Sequence, residues 1–179
     1  MLRLFIAIAL PDALRQRLGG LRVGLPGVRW VAPENMHLTL RFVGEVALDQ
    51  AQDIDAALAA VRAPRFSLQL EGVGIFGKPR KARAVWVGAG QNDALLHLQR
   101  KVDVAVTRAG VEPEARKFSP HVTLARLRGV SPTRLERYVV DHAAFRAPPV
   151  PIEKFVLYSS DLTASGAVHT PEAEYPLAD

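Results

Sequence analysis

His37-Leu38-Thr39-Leu40 and His121-Val122-Thr123-Leu124 are two copies of one pattern in a chain of 179 residues. Around the first, Leu38, Leu40 and Phe42 alternate with His37, Thr39 and Arg41, a period of two that predicts a β-strand over 37–43. Similar spacing predicts a second strand over 121–127. Each copy follows a proline-containing stretch (Pro33-Glu34-Asn35; Ser119-Pro120), and each precedes a segment with helical spacing. The echo implies two related lobes, each giving one motif to a shared cleft.

Outward from the motifs, Leu4, Ile6, Ile8 and Leu10 alternate with Arg3, Phe5, Ala7 and Ala9, a strand buried on at least one face. Pro11 suits the first turn of a helix carrying Leu14, Leu18 and Leu21. A helix is predicted over 47–61, with Leu48, Ala51, Ile54, Leu58 and Val61 on its apolar side. Residues 66–76 and 84–88 read as two strands joined by a loop that begins at Gly77-Lys78-Pro79. The clearest helix spans 93–109. Asn92 is its N-cap, Leu95, Leu98, Val102, Val106 and Ala109 form its stripe, and Gly110 closes it. Ser131-Pro132 begins another helix, to about residue 140. Pro148, Pro149 and Pro151 mark a rigid extended connection. Residues 155–159 form a late strand, and a short tail containing Tyr175 follows. Strands and helices mix without the strict alternation of a parallel sheet. The expected fold is therefore α+β and bilobal: two mostly antiparallel sheets with flanking helices around a central cleft, in one domain over 1–179.

Apolar residues make up 49% of the chain, enough for a packed core. No apolar run reaches the roughly 18 residues of a membrane helix, and the segment 2–10 lacks the flank and cleavage site of a signal peptide. Cysteine is absent, which excludes disulfides, thiolate metal sites and a cysteine nucleophile, and fits a cytoplasmic location. The net charge is +5, from 23 Lys+Arg against 18 Asp+Glu, and its sign favours a polyanionic partner.

In a strand, residues i and i+2 share a face. His37 and Thr39 therefore project together, as do His121 and Thr123, while Leu38, Leu40, Val122 and Leu124 point into the core. Two imidazoles facing each other can act as acid and base in one step near neutral pH. That is what in-line displacement at phosphorus needs, and the threonine hydroxyls can donate to the non-bridging oxygens. No cofactor is required, and neither motif has the spacing of a zinc helix such as His-Glu-x-x-His. A lone His-x-Thr on a strand is ordinarily a satisfied core histidine; the duplication is what argues for chemistry. His97 falls off the apolar stripe of its helix, His142 near a helix end, and His169 in the tail among small residues, so none has a companion motif.

At these residues the sequence resembles the two-histidine (2H) phosphoesterases, and within them the bacterial RNA 2',3'-cyclic phosphodiesterases, historically called 2'-5' RNA ligases. The similarity runs through Arg3-Leu-Phe-Ile-Ala-Ile-Ala-Leu-Pro11, 30–44 around the first motif, Gly74-Ile-Phe-Gly77, Ala84-Val-Trp-Val-Gly88 and Phe118-Ser-Pro-His-Val-Thr-Leu-Ala-Arg126. It departs after Gly166, where the family often has an aromatic residue and this chain has Ala167-Val168-His169-Thr170. The resemblance implies a bilobal fold and hydrolysis of RNA 2',3'-cyclic phosphate ends to 2'-phosphomonoesters. It also implies His37 as proton donor to the leaving 3' oxygen and His121 as the acceptor that activates water; the near-symmetric motifs do not themselves assign these roles.

Thr39, Thr123 and Arg126 are the expected phosphate-binding residues, Arg126 because it follows the motif strand directly. Lys78, Arg80, Lys81 and Arg83 form a basic loop, and Arg116, Lys117 and Arg128 also flank the second motif. Phe5, Phe42 and Phe76 are expected in core packing, with base stacking as the alternative. The expected partners are RNA ends, with small cyclic nucleotides as a second class, and the expected state is a monomer without a membrane partner. Competing readings are 2'-5' ligation at the same site and a non-catalytic RNA-end-binding module.

Overall fold

The structure, a computed structural model, describes residues 1–178. Strand β1 (Leu2–Ala9) leads into α1 (Asp12–Gly19), β2 (Val28–Trp30), a 3-10 turn at Pro33–Asn35, β3 (His37–Val46) and α2 (Leu48–Ala59). Next come β4 (Phe66–Leu68), β5 (Leu70–Ile75), β6 (Ala84–Ala89) and α3 (Asp93–Arg108). β7 (His121–Leu127), α4 (Pro132–His142), β8 (Val150–Ile152), β9 (Lys154–Thr163) and β10 (Gly166–Pro176) complete the order.

Eight strands form one sheet in the order β10-β9-β1-β3-β7-β6-β5, with β2 paired to β7; β4 and β8 make a separate two-stranded sheet. The ladders are antiparallel. The α+β, antiparallel expectation holds, but the lobes are halves of one large sheet. β10, β9, β1 and β3 form one half, and β7, β6, β5 and β2 the other. Among the described residues the ladder between them pairs at one position, Leu38 opposite Val122, while the hydrophobic core runs through both halves. Both side chains are fully buried, as is Leu124, and Leu40 nearly so. Helix α3 packs against β3 and α2, and α4 against β5. Among the described residues no helix is long and apolar enough to cross a membrane.

Local chemistry explains the best-matched helices. The Asn92 side chain accepts from the Leu95 N–H at 3.0 Å and also donates to the Ser67 carbonyl at 2.8 Å, tying the start of α3 to β4. Gly110 ends α3 at φ +98°, a conformation that suits glycine. Ser131 caps α4 by accepting from the Arg134 N–H.

Each motif strand carries a β-bulge at the same place. Along β3, Ile6 faces Arg41 but Ala7 faces Thr39, so Leu40 is the extra residue. Along β7, Val85 faces Ala125 but Trp86 faces Thr123, so Leu124 is the extra one. An extra residue shifts the two-residue period by one. The expected alternation of Leu38, Leu40 and Phe42 against His37, Thr39 and Arg41 therefore fails after Leu40. Arg41 turns into the protein, 6% exposed, and Phe42 turns out, 60% exposed. The Arg41 guanidinium is held by Asp103 at 2.7 Å and by the carbonyls of Phe42 and Glu112.

Other expectations are also corrected. Leu48 begins α2 at its exposed edge and is not part of the stripe, which starts at Ala51. Residues 66–76 break at Gln69 because β4 leaves the large sheet to pair with β8. The triple-proline connection runs into β8, where Pro151 sits on a short edge strand that tolerates its missing N–H. The C-terminal tail is instead an 11-residue strand, β10, on the edge of the sheet. Most of its side chains are exposed, so it carries no hydrophobic period to read.

Candidate active site

Leu38 and Val122 point into the core, so their neighbours on β3 and β7 point to the opposite face. The antiparallel pairing sets His37 toward Thr123 and Thr39 toward His121. The four motif residues therefore cluster where the two halves of the sheet meet, and both threonines are half-buried.

The two histidines occupy different surroundings. His121 Nδ1 lies 2.7 Å from the Ser119 carbonyl oxygen. A carbonyl only accepts, so Nδ1 carries the proton and Nε2 of the neutral ring is an acceptor. Phe76 meets this imidazole edge-on at 5.0 Å, and Trp86 lies at 6.4 Å. Beside them opens a cavity of about 370 Å³ lined by Glu71, Val73, Trp86, Ser119, Pro120 and His121.

His37 is only 9% exposed. Its ring lies 4.5 Å from Tyr158, 5.5 Å from His169 and 5.9 Å from Phe5. Burial pushes its pKa down from 6.5 to about 4, assisted by repulsion from His169 and Arg15; contact with the Asn35 backbone opposes the shift. In the free protein His37 is therefore neutral at pH 7.

His169 is not an isolated tail residue. It sits on β10 opposite Ser160, edge-on to Phe5 at 5.0 Å, and faces His37. Its Nδ1 is buried and has no hydrogen-bond partner among the described residues, and burial lowers its pKa. Phe5 is buried and stacks on Tyr158 at 5.1 Å, as a packing residue should. Phe42 and Phe76 do not pack in the core: they are 60% and 48% exposed, on the face that carries the motifs.

Arg126 reaches the motif face because of the bulge at Leu124. It pairs across the sheet with Ala84 on one side and Arg29 on the other, and both arginines are exposed. Lys78, Arg80, Lys81 and Arg83 are exposed, while Arg116 is engaged with Glu114 at 3.6 Å. His97 lies half-buried on α3, and His142 at the end of α4 bonds the Tyr138 carbonyl at 2.7 Å. Sequence reasoning missed Arg15, Arg29, Tyr158 and His169, since none belongs to a repeated motif. Among the described residues no group of three or more His, Asp or Glu is placed to hold a metal ion.

The family model described as LigT like phosphoesterase matches the chain twice, over residues 6–86 and 87–169, so that each match contains one motif. The chain belongs to the LigT-like phosphoesterase family. It is 36% identical over 148 residues to an RNA 2',3'-cyclic phosphodiesterase of Aeropyrum pernix, covering 82% of this chain and 84% of that one. The Thermotoga maritima enzyme of the same name is 32% identical, covering 94% and 91%. Among solved structures, Escherichia coli LigT in complex with 3'-AMP superposes with a TM-score of 0.78 at 30% identity, over 99% of each chain.

Proposed function

We propose that this protein hydrolyses the terminal 2',3'-cyclic phosphodiester of RNA to a 2'-phosphomonoester, using His37 and His121 as acid and base. The observation that carries the reading is the single Leu38–Val122 pair, which turns two imidazoles and two hydroxyls onto one face. The names of the relatives support the substrate class.

In the proposed step, His121 Nε2 takes a proton from water as its oxygen bonds to phosphorus. The bond from phosphorus to the 3' oxygen breaks, and His37 supplies the proton that oxygen needs. The 2' ester bond is kept. The Ser119 contact suits His121 to the acceptor role by fixing its tautomer. His37 must gain its proton as the anionic substrate arrives, because burial keeps it neutral beforehand. Thr39 and Thr123 donate to the non-bridging oxygens of the reacting phosphate, and Arg126 holds substrate phosphate farther along β7. The proposal includes residues 1–179 acting as one bilobal domain, a cytoplasmic monomer, and small cyclic nucleotides as a second class of substrate.

The test is an RNA ending in a 2',3'-cyclic phosphate, incubated with the protein in EDTA. Conversion to 2'-phosphate ends is expected, with a loss of at least a hundredfold in either His37→Ala or His121→Ala. Cyclic ends left intact at high protein concentration would sink the proposal, as would full activity in both variants. A 5'-hydroxyl acceptor added to the same mixture reads out any 2'-5' joining.

A further inference from the structure

The short strand β2 brings to the site a residue that no motif marks. Val28 and Trp30 pack into the hydrophobic core, so Arg29 between them faces the other way, onto the motif side of the sheet. β2 is firmly held: the Val31 N–H donates to the Leu124 carbonyl at 2.8 Å, the Arg128 N–H to the Gly27 carbonyl at 2.9 Å, and the Trp30 indole to the Val23 carbonyl at 3.1 Å. Arg29 lies directly opposite Arg126. Two like charges at directly opposed positions destabilise a sheet, and among the described residues neither arginine has an ion-pair partner. The Arg29 guanidinium also approaches the opposite half of the molecule, where an added β-carbon on Gly166 of β10 would stand 3.9 Å from it.

This geometry calls for an anion outside the reacting centre. Because of the bulge, Arg126 lies two partner residues beyond Thr123 (Ala84 against Trp86), roughly 7 Å along the sheet, and Arg29 stands directly beside it across the β2–β7 pair. A cyclic mononucleotide with no 5' phosphate has nothing to place there. An RNA end does: the phosphodiester on the 5' side of its last nucleotide. We infer that Arg29, paired with Arg126, binds this upstream phosphodiester and makes the protein select RNA ends over cyclic mononucleotides. The inference rests on the cyclic phosphodiesterase reading for its substrate, but the subsite can be measured without turnover.

The experiment compares the wild type with Arg29→Gln and Arg29→Lys, on a short RNA ending in a 2',3'-cyclic phosphate and on a nucleoside 2',3'-cyclic phosphate. The ratio of kcat/KM for RNA to that for the mononucleotide should fall about tenfold in Arg29→Gln, through KM and not kcat, and recover partly in Arg29→Lys. In parallel, fluorescence anisotropy follows binding of an RNA ending in a 2'-phosphate across salt concentrations. Its slope in log–log form should fall by about 0.7 in Arg29→Gln, one lost phosphate contact on a single strand. An unchanged ratio with an unchanged salt slope would overturn the inference, and so would equal losses on both substrates. If the wild type turns over neither substrate, the proposed function falls, and the anisotropy slope still decides the subsite.

Discussion

Lowering the pH should weaken this fold through His37 in a way that one substitution removes. The imidazole is 9% exposed and its pKa drops from 6.5 to about 4 on folding. Between those values the unfolded chain binds a proton that the folded chain refuses, so stability falls as pH falls. His37 contributes no penalty above about pH 6.5. It withdraws stability progressively down to pH 4, below which the loss is complete. A shift of about 2.5 units corresponds to about 3 kcal/mol at 1.36 kcal/mol per unit. Urea unfolding of the wild type and His37→Gln at half-unit steps from pH 7 to 4 isolates this group, because the other titrating groups are common to both. The difference between the two stability curves should change by about 3 kcal/mol over that range, with the wild type losing more. Parallel curves would refute the claim that His37 is held neutral by burial.

The remaining predictions concern binding, chemistry and packing. Inorganic phosphate binding at pH 6 should be accompanied by proton uptake, read by calorimetry in buffers of different ionisation enthalpy; no uptake would count against protonation of His37 by an arriving anion. On an aryl phosphodiester, whose leaving group departs without a proton, His37→Ala should retain far more of its activity than His121→Ala; equal losses would contradict the assigned roles. Leu38→Ala removes a fully buried side chain at the ladder pair between the sheet halves, and should cost about 2–5 kcal/mol by chemical denaturation. Asn92→Ala loses both a helix cap and the link to Ser67, and should cost about 1–2 kcal/mol, a fall of roughly 2–8 °C in Tm.

The duplicated motif announced the cleft from the sequence because strand period and residue chemistry coincide at His37, Thr39, His121 and Thr123. Helix α3 was equally plain, since Asn92, the leucine-valine stripe and Gly110 all agree. What escaped were features that depend on contacts distant in the chain. A bulge is a relation between two strands, so the reversal at Arg41 and Phe42 leaves no mark in β3 alone. β10 is an exposed edge, so its residues lack a hydrophobic rhythm. His169 and Arg29 reach the motif face only because β10 folds back onto β9 and β2 docks on β7.

The paired bulges also resolve a difficulty inherent in a duplicated site. Two matched histidines related by an approximate two-fold present similar motifs to a phosphate from either direction. Past the bulges, the equivalent positions hold Phe42 on one strand and Arg126 on the other. An aromatic ring and a guanidinium do not welcome the same end of a nucleotide. The residue three places beyond each threonine therefore differs between the two strands, so the two-fold likeness of the motifs ends just past their bulges.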